Sequence, residues 1–104
     1  MSEDQLTPVP ESFLKLYQGL RNRLLEPAAT VRARYEFCED LANQVMPMAQ
    51  ALHHDDGLAE DEVLTRVGKG LANPASGLRE DEAVWVATRL AELLRWPMPP
   101  HPPM

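Results

Sequence analysis

Two acidic triplets and one histidine-containing run are the parts of this 104-residue chain whose side chains could do chemistry. Glu60, Asp61 and Glu62 close the stretch GLAEDE, which begins at Gly57, and Glu80, Asp81 and Glu82 close GLREDE, which begins at Gly77. Just before the first triplet stands His53-His54-Asp55-Asp56. Two carboxylates in unlike environments can act as general acid and general base. Imidazoles and carboxylates together can bind a divalent ion.

Neither chemistry is well served by the spacing. Successive helical residues point about 100° apart, so the three acids of one triplet cannot converge on a single pocket. No phosphate-binding glycine loop or nucleophile elbow accompanies them, and no catalytic residue is assigned. The run from His53 to Asp56 lacks a second histidine one turn away, lacks Glu-x-x-His and lacks the alternating ligands of an EF-hand. No metal or other cofactor is therefore assigned, and a small metal-binding or enzymatic protein using the His53–Asp56 loop stands as an alternative. The structural reading is simpler. Each glycine turns the chain, Leu58 and Leu78 can pack back as staples, and each triplet meets the positive end of a helix dipole.

Binding chemistry is better represented. Trp85, Arg89 and Trp96 fall along one arc of a predicted C-terminal helix, away from its leucine face. Exposed tryptophan beside arginine is the composition of an interface hot spot. The competing reading buries Trp85 under a neighbouring segment and covers Trp96 with the proline tail. The candidate partner-binding residues are thus Trp85, Arg89, Trp96, Glu60, Asp61, Glu62, Glu80, Asp81 and Glu82. Arg21, Arg23, Arg32 and Arg34 form a basic group that either meets an acidic partner or pairs with the downstream acids.

The elements that must position these residues all read as helices. Phe13, Leu16, Tyr17, Leu20 and Leu24 recur with a 3.6-residue period and predict a first helix over 11–25. Val31, Tyr35, Cys38, Ala42, Val45, Ala49 and Leu52 step by four and three, a heptad seam and the mark of a long second helix. Thr30 is its expected N-cap, with Pro27 as a second way to open it. Cys38 on the seam reads as a small buried hydrophobe. Pro47 interrupts that helix, and the unbroken heptad phase favours a kink near Asn43 over a break. Further helices are expected over 59–71 and 79–95, the former weakened by Gly68 and Gly70. Residues 1–7 read as a frayed arm, 8–96 as one helical domain and 97–104, with five prolines, as a polyproline II tail. The fold class is all-α: a small four-helix bundle-like domain with a Pro47-interrupted second helix and a Pro-rich C-terminal tail.

Composition limits the partners. The chain is 44% hydrophobic with a net charge of −6. Residues 1–34 hold five basic and four acidic side chains, and residues 35–104 hold five basic and twelve acidic ones. A surface of this sign disfavours direct nucleic-acid binding, and a helix-turn-helix would place Glu80, Asp81 and Glu82 against phosphates. No apolar run approaches the ~20 residues of a membrane span. One cysteine and an acidic, polar start lead to the expectation of a cytoplasmic protein. The reading that results is a non-catalytic protein–protein interaction module: a small adaptor, accessory or regulatory protein with a protein partner and a leaning toward a homodimer. The alternative within the same class is an acidic inhibitor whose two triplets stand in for phosphates before a basic nucleic-acid-binding protein.

Overall fold

A computed structural model describes residues 9–97, and the chain is all-α as its periodicity predicts. Four α-helices, fitting a small bundle-like domain, are present and no strand occurs among the described residues: α1 (Glu11–Leu14), α2 (Ala28–His54), α3 (Glu60–Leu71) and α4 (Glu80–Leu94). The N-terminal arm and most of the proline tail lie outside the described residues. The chain divides into two compact units within α2, one ending at Phe37 and the other starting at Cys38, a division that the single domain expected over 8–96 does not mark.

In the first unit the predicted helix over 11–25 is cut short. Pro10, extended at φ −67° and ψ 154°, accepts the N–H groups of Phe13 and Leu14 and starts α1. One 3₁₀ turn, Lys15–Tyr17, then ends the helical run, because Gln18 is extended. From there the chain closes a loop: Gly19 N–H donates to the Arg23 carbonyl at 2.7 Å and Leu25 N–H donates to the Tyr17 carbonyl at 2.8 Å. A bridge between Gln18 and Leu24 holds the loop's base. A Cβ at Gly19 would stand 2.8 Å from Leu25 Cδ2, the end of an exposed side chain that would have to swing aside. The apolar period of the segment follows the structure only as far as it has something to pack against. Phe13 and Tyr17 are buried with Val31 and Tyr35, and the Phe13 ring lies 5.7 Å from both Tyr17 and Tyr35. Leu20 and Leu24 do not join them.

α2 opens one turn earlier than Thr30 would set it. The Pro27 carbonyl accepts Val31 N–H at 3.1 Å, so Thr30 lies inside the first turn and is not the cap. The helix passes through Pro47 without a break, as the continuous heptad phase implies. Pro47 and Asn43 both lie on its exposed side, where the carbonyl that loses its partner can be hydrated.

In the second unit Cys38, Ala42 and Ala49 of α2 are buried, and so are Val63, Leu64, Val67 and Leu71 of α3 and Ala83, Val86, Ala87, Leu90 and Ala91 of α4. Most of these α2 and α4 positions are alanines, and small residues let helices approach closely. α3 and α4 begin at Glu60 and Glu80, each one residue inside the predicted start.

Candidate functional site

The twin motifs form twin helix starts. Gly57 and Gly77 both take the left-handed region, at φ 72° and 79°. Ala59 and Arg79 are extended N-caps with nearly equal angles, −64°/154° and −71°/161°. Leu58 and Leu78 are both half-buried, as staples are. The third acids then part ways. Glu62 is exposed and bonds Arg66 one turn on, at 3.2 Å. Glu82 is fully buried and accepts Arg79 N–H at 3.0 Å, the reach-back half of a capping box.

The tryptophan–arginine stripe is divided, with Trp85 buried and Arg89 and Trp96 half-buried. Trp85 is only 9% exposed. α4 buries Glu82, Ala83, Trp85, Val86, Ala87, Leu90 and Ala91, a spread that takes in much of the arc that looked polar on the wheel. Val84 is the apolar residue this helix leaves exposed. Arg89 is engaged by Glu39 of α2 through two parallel bonds, Nε to Oε1 at 2.8 Å and a terminal guanidinium nitrogen to Oε2 at 3.0 Å. That pairing, the strongest of its contacts, raises the Arg89 pKa above its ordinary value, and Glu92 adds to it. The sign is that of a cation held charged: the contribution is in full force below the guanidinium's ordinary pKa and is lost only above it. Trp96 is half-buried and meets the His53 ring edge-on at 5.1 Å.

The remaining acids are divided. Asp81 bonds Arg79 at 2.7 Å, while Asp61 and Glu80 are exposed and Glu60 is half-buried. Among the described residues no group of three or more histidine, cysteine, aspartate or glutamate side chains is arranged to hold a metal ion. In the His53–Asp56 segment, His53 Nδ1 lies 2.8 Å from the Leu58 carbonyl. A carbonyl can only accept, so Nδ1 carries the proton and the imidazole ties the end of α2 to the staple of α3.

A binding feature that the sequence reading did not single out lies between α2 and α3. Val45, Met48 and Leu52 face Arg66, Val67, Gly70 and Leu71 across a cleft of about 300 Å³, walled almost wholly by apolar groups. Val45 and Leu52 belong to the heptad seam, yet they are only half-buried, unlike Cys38, Ala42 and Ala49. Met48 is 52% exposed. Gly70 forms part of the wall, and a Cβ added to it would meet nothing within 4 Å. A glycine in a helix costs about 1 kcal/mol against alanine. Nothing among the described residues requires one here. The signal in the sequence was the pair Gly68 and Gly70 inside an otherwise regular helix.

No family model, no curated protein and no solved structure matches this chain. Among the described residues no helix is long and apolar enough to cross a membrane.

Proposed function

We propose that this chain is a non-catalytic protein–protein interaction module, a small adaptor, accessory or regulatory protein of the cytoplasm, which receives an apolar segment of a partner in the cleft between α2 and α3. The open, methionine-edged cleft with a bare Gly70 carries the reading. An unbranched methionine adapts its shape to what docks on it, and a helical glycine lets a partner come close. The absence of catalysis is supported by how the acids are used: Glu82 is spent on a helix cap, and Glu62 and Asp81 are bonded to arginines.

The phosphate-mimicking alternative now rests on fewer groups. Of the six triplet acids, Glu60, Asp61 and Glu80 are the ones that are neither fully buried nor engaged by a neighbouring arginine. Capture from a native cell extract on the immobilised full chain, at low and high salt, tests both readings. Cleft binding survives high salt and is lost in Gly70→Trp, which fills the opening. Capture unchanged by Gly70→Trp contradicts the cleft reading, and capture that disappears with salt alone favours the acidic one.

A further inference from the structure

The walls of the α2–α3 cleft restrict the kind of segment that can fill it. Val45, Met48 and Leu52 stand at i, i+3 and i+7 on α2, and Arg66, Val67, Gly70 and Leu71 at i, i+1, i+4 and i+5 on α3. Each wall is about two helical turns long, and the α2 wall spans about 10 Å. The backbone groups of both walls are bonded along their own helix axes and offer nothing to a visiting chain. An extended segment pressed on such a wall would leave its own N–H and C=O groups without partners on that side, each at a cost comparable to a lost hydrogen bond. A helix arrives with its backbone already satisfied. Gly70, where an added Cβ meets nothing within 4 Å, gives it room to come close.

Arg66 is the charged residue of the lining. Glu62, one turn earlier, takes its Nε–H at 3.2 Å, and the terminal guanidinium nitrogens form no hydrogen bond among the described residues. That pair is exposed, 58% and 52%, and holds its members weakly. Arg66 is thus steadied by Glu62 and still able to receive a second carboxylate end-on. Charge is also divided along α3: Glu60, Asp61 and Glu62 occupy its first turn and Lys69 its last. Lys69 is exposed and forms no ion pair among the described residues. Salt screens charges beyond about 8 Å, so Glu62, Arg66 and Lys69 weigh more at the cleft than the net charge of the chain.

We propose that the α2–α3 cleft receives an amphipathic helix of a partner protein, one that carries two apolar side chains a turn apart and, within a further turn, a carboxylate that bonds the terminal nitrogens of Arg66. This names the kind of partner and rests on the cleft being a binding site. The apolar anchors lie among Val45, Met48, Leu52, Val67 and Leu71, as a helix lies in a groove by its i and i+4 residues. Met48, 52% exposed and unbranched, adapts to them at the edge. A second copy does not supply such a helix. The large apolar residues that the described helices leave exposed are Phe37, Met48 and Val84, no two of them a turn apart.

Fluorescence anisotropy on the full chain tests this with three labelled, alanine-rich helical peptides of about 20 residues. Each carries leucines at i and i+4, and the residue one turn beyond is Glu in the first, Gln in the second and Lys in the third. The Glu peptide is expected to bind about fivefold more tightly than the Gln peptide, the worth of one partly exposed charged pair, and the Lys peptide more weakly than both. Arg66→Gln should erase the difference between Glu and Gln while the Gln peptide binds as before. Gly70→Trp should abolish binding of all three with an unchanged circular dichroism spectrum, since Gly70 faces open space. No binding by any peptide up to about 1 mM overturns the proposal, and so does a preference for Glu that survives Arg66→Gln. Binding that ignores the peptide's charge but is lost in Gly70→Trp removes the acidic helix and leaves the cleft reading standing. A dimer in sedimentation velocity that Gly70→Trp dissolves would put a second copy in the cleft and overturn the proposal as well.

Discussion

The two helix starts, Gly57–Glu62 and Gly77–Glu82, share five of six residue types and nearly the same backbone, yet they do different work in the fold. Both turn on a left-handed glycine and both enter the helix from an extended cap. In α3 the third acid lies in solvent and holds Arg66 at the surface. In α4 it is fully buried and satisfies the Arg79 N–H. Local sequence therefore sets the turn and the cap, while the surroundings decide what the same carboxylate contributes. An acid at an exposed first turn is worth a few tenths of a kcal/mol to about 1 kcal/mol. An acid buried with its hydrogen bond is far more costly to remove, because its partners are left unsatisfied and a cavity remains.

Substitutions at paired positions measure this difference. The largest effect is expected at Glu82: Glu82→Ala should destabilise the chain by about 2–4 kcal/mol, read as a lowered midpoint in urea denaturation. Next come the glycines. Gly57→Ala and Gly77→Ala should each cost about 1–2 kcal/mol, since each holds positive φ. Equal losses would show that the glycines do the same job in both motifs, and unequal ones would break the parallel at the turn itself. A gain of about 1 kcal/mol is expected from Gly70→Ala and from Gly68→Ala, where a Cβ meets nothing and helix propensity improves. Loss of stability at either position would mean that the glycine serves the fold and not a partner. The smallest effect belongs to Glu62→Ala, about 0.3–0.5 kcal/mol, the value of an exposed i,i+4 pair. A cost at Glu62 that equals the one at Glu82 would erase the contrast.

How far the sequence could be read follows the same division between local and tertiary causes. α3 and α4 were legible to within a residue because glycine, leucine anchor, acids and apolar period all agree there. The helix expected over 11–25 was not, because its period continues through Leu20 and Leu24 while both are left exposed. Helical pattern without a packing partner gives little stability to a short segment, and Gly19 lets the chain leave. Thr30 failed as a cap for a local reason, the Pro27 carbonyl being already placed to accept Val31 N–H. Glu82 fell on the polar arc and the burial of Trp85 stayed open because a helical wheel assumes one buried face, and α4 is covered well beyond one. The cleft escaped notice because a heptad seam looks uniform in sequence, whereas Val45 and Leu52 are left half-open. The arginine of the expected stripe, Arg89, is half-buried in a bidentate pair with Glu39, fifty residues away, which no local pattern shows.

Function on this account lies in the cleft beside α3 and not in the acids that begin it. The direct comparison is partner binding by two variants of the full chain. One carries Gly70→Trp, and the other replaces Glu60, Asp61 and Glu62 by glutamine. Binding, measured by capture or by self-association, is predicted to be abolished in the first and retained within about tenfold in the second, as expected for screened rim charges. Binding abolished by the glutamine variant and untouched by Gly70→Trp would contradict the account and return the function to the acidic triplet.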